Sequence, residues 1–253
     1  MRLTENIFLV GSGGLGFHIS NVFDCHVYLI QAGGEMGLID SGVGINTNEI
    51  VENIRAEGLN PSKIKTIFVT HYHSDHIGGL ADLKKVTAAK IIASKDAAQL
   101  IEEGNEEATG VSTLKKLYRS LSDYQLKPCK VDIKVQDGDT MRIGKYEITA
   151  IATPGHCMGH MSYLLKAENG NILFSGDCVF YGGKIMLQST PDCNIQDYAR
   201  SLSKLRKLSI DALLPGHMCI VLRGGHSHVV AAAQVFEQCG IPPNVTIPSG
   251  VFK

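Results

Sequence analysis

Residues 69–79 read VTHYHSDHIGG, and this stretch puts three histidines and an aspartate within six positions, 71 to 76. Just before it, KIKTIFVT (63–70) is rich in β-branched residues and reads as a buried strand. If the chain leaves that strand nearly extended, alternate residues point the same way, so the imidazoles of His71 and His73 can reach one cation. Asp75 and His76 follow where the chain must turn into a helix beginning near Ile77, and they point to a second position. Imidazole nitrogen and carboxylate oxygen are ligands for zinc and iron, but a two-metal hydrolytic site needs about six or seven of them. The rest must come from elsewhere.

Three more ligand types stand downstream in the same local grammar: a buried strand, a small or turn-forming residue, then one ligand. ATPGHCMGH places His156 after a Pro-Gly turn, LFSGDC places Asp177 after an apolar strand and a glycine, and LLPGHM places His217 after another Pro-Gly. Loops at strand ends are where rigid scaffolds hold reactive groups.

Outward from these motifs, NIFLV (6–10), CHVYLIQA (25–32) and EMGLIDSG (35–42) read as short strands. Asn46 with Glu49 resembles a capping box opening a helix that ends near Gly58. AKIIAS (89–94) is a further strand, and residues 95–126 read as helical with a loop around 104–110, Leu114, Leu117, Tyr118 and Leu121 sharing one face. KVDIKV (130–135), DTMRIG (139–144) and YEITAIATPG (146–155) read as strands. MSYLLK and NILFSGD form a hairpin turning at Asn169-Gly170. Residues 195–208 and 226–239 read as helices around the strand IDALLPGH (210–217). Strands and helices alternate in two blocks, which favours an α/β sandwich. GSGGLG (11–16) satisfies G-x-G-x-x-G, but a β-like stretch follows it where a dinucleotide site needs a helix, so it reads as a flexible loop.

The order H-x-H-x-D-H, T-P-G-H, S-G-D and P-G-H resembles the metallo-β-lactamase superfamily, from the strand near Leu38 to His217. That resemblance implies one domain over residues 1–253, a four-layer αβ/βα sandwich of two mixed β-sheets flanked by helices, with a helical insertion at about 95–127. It implies that His71, His73 and His156 hold one metal, that Asp75, His76 and His217 hold another, and that Asp177 bridges both. Asp40, in LIDSG, matches an acidic position whose role would be to orient ligating imidazoles. His160 would be a hydrogen-bonding neighbour of the site and not a ligand. Asp75 and Asp177 would be the catalytic carboxylates. Two divalent ions, zinc foremost with iron and manganese accepted by the same ligands, would lower the pKa of a shared water and present hydroxide to an ester-like bond in a lactone, thioester or ester.

The subfamily stays open. GDCVFYGG is similar to the glyoxalase II branch, but only 36 residues follow His217 where that branch has a helical glutathione-gripping domain. Lactonase-like members carry a tyrosine three positions after the bridging aspartate, where this chain has Phe180, with Tyr181 one later. Tyr181 and Lys184 are candidates for holding an acyl oxygen, and Arg223 for a carboxylate. The same fold hosts iron-dependent persulfide dioxygenases and phosphodiesterases, which are the alternative readings.

Composition narrows the partners. Twenty-four basic residues against 25 acidic ones give no polyanion-binding signature, so no nucleic-acid partner is expected. No stretch reaches eighteen unbroken apolar residues, so no membrane span is expected. Seven scattered cysteines fit a reducing cytoplasm. The expected partner is a small-molecule substrate, with a homodimer left open.

Overall fold

The computed structural model describes residues 1–245. The described residues divide into two compact units, 1–135 and 136–245, each built on its own mixed sheet.

The first unit carries six strands: β1 (Ile7–Gly11), β2 (Val27–Ala32), β3 (Glu35–Ile39), β4 (Ile64–Phe68), β5 (Lys90–Ser94) and β6 (Ile133–Val135). They pair in sequence order, β1 to β3 antiparallel and β3 to β6 parallel. Parallel neighbours need crossovers, and helices supply them. α1 (Thr47–Ala56) joins β3 to β4, and α2 (Ser74–Ile77) with α3 (Leu80–Thr87) joins β4 to β5. α4 (Lys95–Glu103), α5 (Val111–Leu117) and a 3₁₀ turn at Arg119–Leu121 lie between β5 and β6. Ile64, Ile67, Phe68, Ile91, Ile92 and Ala93 are at most 1% exposed, so the central strands are covered on both faces, as parallel strands require. In register, Ile39 lies opposite Phe68, so Asp40 and Thr70 leave neighbouring strands at the same end.

The second unit pairs β7 (Thr140–Ile143), β8 (Tyr146–Ala152), β9 (Met161–Ala167) and β10 (Gly170–Gly176) antiparallel, then adds β11 (Ala212–Pro215) parallel to β10. α6 (Ile195–Leu205) crosses from β10 to β11, and α7 (Gly225–Glu237) follows. Tyr198, Leu202 and Leu205 of α6 and Val229, Ala232 and Ala233 of α7 form one core with Leu173 and Leu213 of the sheet. The ends of β8, β10 and β11 and the start of β9 lie together. Ala152 pairs with Met161, Gly176 pairs with Pro215, and Gly216 N–H donates to Gly176 O at 2.8 Å. Among the described residues no helix is long and apolar enough to cross a membrane.

Several local expectations are corrected. Asn46 stands at the N-cap of α1, but its side chain makes no capping bond. The short helix bearing Asp75 and His76 begins at Ser74, three residues before the expected start. The helical face through Leu114, Leu117, Tyr118 and Leu121 does not form: Tyr118 is extended, Leu117 is 68% exposed and Leu121 is buried in the 3₁₀ turn. The hairpin turns on Glu168-Asn169, because Ala167 and Gly170 already pair. GSGGLG is a packed loop and not a flexible one. Gly13 and Gly14 donate to Asp24 O and Val22 O, and a Cβ at Gly16 would fall 2.1 Å from His26 Cε1. The glycines there serve close approach, which no spacing rule reveals.

Candidate metal centre

In the first unit the cluster is assembled where β3 and β4 end. Asp40 sits in the left-handed region (φ +61°) and turns its carboxylate back across the strand ends. Oδ1 accepts the Thr70 N–H at 2.7 Å, and Oδ2 accepts the Thr70 hydroxyl at 2.8 Å. Oδ2 also lies 2.8 Å from His76 Nδ1. A carboxylate oxygen accepts, so Nδ1 of His76 carries a proton, and Nε2 is the nitrogen left to bind a metal. Thr70, having donated to Asp40, accepts from His71 Nδ1 at 3.0 Å, which fixes that ring in the same tautomer. One carboxylate thus orients two histidines, His76 directly and His71 through Thr70. His71 Nε2 and His73 Nδ1 lie 3.1 Å apart, and His76 Nε2 lies 3.4 Å from Asp75 Oδ2. His71 and His76 are fully buried, His73 nearly so, while the Asp75 side chain is 27% exposed. Cys25, Asp40 and His76 also bring their ligand-type atoms within 4.8 Å of one another.

Behind this cluster Asp24 is buried. It accepts the Ser20 hydroxyl at 2.6 Å and the Val43 N–H at 2.7 Å. Loss of hydration outweighs those bonds and pushes its pKa up to about 6.

In the second unit Asp177 follows β10, His217 follows β11 and His156 follows β8. Asp177 Oδ2 lies 3.6 Å from His156 Nε2 and 3.6 Å from His217 Nε2. Met186 O takes the Nδ1 proton of His156 at 2.8 Å, so Nε2 is the nitrogen left to bind a metal there too. A carboxylate oxygen at that distance from a ring nitrogen is a pairing that a shared cation, a proton or a divalent ion, makes favourable. The same holds for Asp75 and His76 in the first unit. Each unit therefore offers a donor set of the kind a divalent ion takes, imidazole nitrogens beside a carboxylate, with the Nδ1 protons of His71, His76 and His156 held by Thr70, Asp40 and Met186.

His160 touches the cluster through the backbone. Its Nε2 accepts the Asp177 N–H at 3.1 Å, and its Nδ1 lies 2.9 Å from Thr153 Oγ1. From there hydroxyls continue through Ser162 (2.8 Å) to Ser175 O (3.3 Å). Tyr181 and Lys184 are exposed, the Tyr181 ring lying 4.7 Å from that of His228 and tilted against it, and His228 accepts the Gly182 N–H. Arg223 is exposed beyond β11.

Thr70, Thr153, Asp24 and Tyr198 were not among the residues read from sequence. Thr70 adjoins His71, and a hydroxyl placed one residue before a ligand was the available signal. Tyr198 had none, being 21 residues from Asp177 along the chain.

With this geometry in view, the class is clear: an α/β protein with ligand clusters at strand ends. The sequence model of the metallo-beta-lactamase superfamily matches residues 20–217, and the chain belongs to that superfamily. Acyl-coenzyme A thioesterase MBLAC2 of Gallus gallus is 28% identical over 209 residues, covering 76% of this chain and 72% of that one. A hydroxyacylglutathione hydrolase of Rhodopseudomonas palustris strain BisB5 is 30% identical over 197 residues, covering 74% of this chain but 64% of its own length. BJP-1, a subclass B3 metallo-beta-lactamase of Bradyrhizobium japonicum, superposes with a TM-score of 0.70 at 25% identity, over 94% of this chain and 92% of that one. A metallo-beta-lactamase of Cronobacter sakazakii gives 0.71 at 22% identity, over 94% and 96%. The chain is an enzyme of this hydrolytic superfamily, with the superfamily's fold.

Proposed function

We propose that this protein is a dinuclear metal-dependent hydrolase that cleaves an acyl thioester of a small molecule. The observation that carries this reading is Asp177, whose one oxygen stands 3.6 Å from both His156 and His217. In this reading the chain is a single functional domain. His71, His73 and His156 take one ion, Asp75, His76 and His217 the other, and Asp177 both. When bound, the ions, zinc foremost, supply Lewis acidity and a water of lowered pKa.

The chain's own groups do the rest. Asp40 and Thr70 hold His76 and His71 in the tautomer that turns Nε2 inward. Asp75 keeps a partly exposed carboxylate able to take and pass a proton. Tyr181 and Lys184 orient the acyl oxygen, and Arg223 pairs with a substrate carboxylate. The thioester class is favoured because acyl-coenzyme A thioesterase and hydroxyacylglutathione hydrolase both name acyl groups on thiol carriers. The near balance of 24 basic and 25 acidic residues suits a small substrate better than a nucleic acid. We place the protein in the cytoplasm, where its seven scattered cysteines stay reduced.

The test is metal analysis of the purified protein with a panel of acyl thioesters, lactones and phosphodiesters, and oxygen uptake with persulfides. About two metal equivalents and thioester turnover are expected, both lost in His73→Ala and Asp177→Ala. Metal-free protein with undiminished turnover, or oxygen uptake in place of hydrolysis, overturns the reading.

A further inference from the structure

Tyr198 of α6 is fully buried, and its hydroxyl faces two carbonyls, Met186 O at 2.8 Å and Asp177 O at 3.2 Å. Neither carbonyl is incidental. Asp177 is the carboxylate between His156 and His217, and Met186 O also receives the Nδ1 proton of His156 at 2.8 Å. The residue before His156 is in contact as well. Gly155 has φ +144°, and a Cβ there would fall 2.6 Å from Tyr198 Cγ and 2.8 Å from its backbone nitrogen. At the head of α6 Asn194 N–H donates to Gly155 O at 2.8 Å, and Asn194 Oδ1 caps the helix through Gln196 and Asp197 N–H. Tyr198 therefore meets three separate backbone positions, Gly155, Asp177 and Met186.

We infer that Tyr198 is a positioning residue that couples the His156 ring and the Asp177 carboxylate, setting the spacing of the donors that receive the metal. This rests on the metal-dependent reading above and deepens it. A phenol has one proton and two carbonyls to serve, so its hydrogen bond is shared. A shift of either carbonyl changes the bond to the other. Met186 O is shared in turn with His156, so rotation of that imidazole and displacement of Asp177 are felt at the same oxygen. His160 accepts the Asp177 N–H while Tyr198 donates to the Asp177 carbonyl, so both peptide groups flanking the carboxylate are held. Tyr198 touches neither substrate nor ion in this account. Its effect is on ligand geometry, and outer hydrogen bonds of that kind change metal affinity by about 10- to 100-fold.

The experiment compares the wild-type protein with Tyr198→Phe, which keeps the ring and removes the hydroxyl. Zinc affinity is measured by competition with a chromophoric chelator, and cobalt-loaded samples are read by visible absorption. Wild type must first bind metal; if it does not, the metal-dependent reading fails and not the coupling. The expected result is zinc affinity about 10- to 100-fold weaker in Tyr198→Phe, with an altered cobalt spectrum. Equal affinity and an unchanged spectrum overturn the inference. Should Tyr198→Phe fail to fold, 3-fluorotyrosine at position 198 reports in its place. Its ¹⁹F signal should move when zinc is added to the apo protein, and a signal unmoved at saturating zinc overturns the coupling.

Discussion

Asp40 lies 2.8 Å from His76 Nδ1 while its other oxygen accepts the Thr70 N–H at 2.7 Å, so one buried carboxylate ties the end of β3 to the end of β4 and to the helix α2. Removing it in Asp40→Ala orphans a backbone donor and a hydroxyl in a dry site and frees two imidazoles to rotate. The expected outcome is a stability loss of about 2–4 kcal/mol and metal affinity about 10- to 100-fold weaker. Urea unfolding and zinc competition measure the two separately. Asp40→Asn, which tolerates the left-handed backbone, should recover more of the stability than of the affinity.

Asp177→Asn keeps the shape of the side chain but removes its charge. Retained helical circular dichroism is expected, because the backbone bonds to His160 and Tyr198 do not involve the carboxylate. Metal content should fall by at least half and turnover by about a thousandfold or more. Elemental analysis showing full occupancy would contradict the role given to Asp177.

Asp24 makes stability depend on pH in a definite direction. Its folded pKa, pushed up to about 6 by burial, lies above its ordinary value of 3.8. The fold prefers the neutral carboxyl, so this contribution is complete below pH 4 and is lost as pH rises through about 6. The loss is on the order of 3 kcal/mol. In metal-free protein, Asp24→Asn should remove that decline relative to wild type between pH 4 and 7. Parallel stability curves for the two proteins would contradict it.

The cysteines should differ sharply in reactivity. Burial pushes the thiols of Cys25 and Cys178 up to about 12, whereas Cys219 and Cys239 are exposed. Since the thiolate is the nucleophile, iodoacetamide at pH 7.5 should label Cys219 and Cys239 first. Cys25 and Cys178 should be labelled only on unfolding, as peptide mass spectrometry would show.

Gly155→Ala should be among the most damaging small substitutions in the second unit. The added methyl group meets Tyr198 backbone and ring at 2.6–2.8 Å with φ at +144°. A loss on the order of 1–3 kcal/mol from the backbone alone is expected, with weakened metal binding, read by thermal melting and zinc competition.

The chemistry on offer, and the places that offer it, could be read from the order of residues. His71 and His73 alternate just past a buried strand, Asp75 and His76 follow at the turn into a helix, and the ligand types at 156, 177 and 217 each follow a strand and a small or turn-forming residue, patterns set by local propensity and side-chain alternation. The buried strand before His71, the short strands before Asp40 and Asp177, and the helices 195–208 and 226–239 were legible for the same reason. Local rules failed where partners are distant in the chain. Whether Asn46 caps α1, whether Tyr118 continues a helix and which glycines are pressed against neighbours depend on contacts the sequence order does not encode. Which nitrogen of His71, His76 and His156 carries the proton depends on the folded chain, because Asp40, Thr70 and Met186 set it across gaps of up to 36 residues. It alone brought Tyr198 to the carbonyls of Asp177 and Met186. A buried hydroxyl must find an acceptor, and packing, not spacing along the chain, chooses which one.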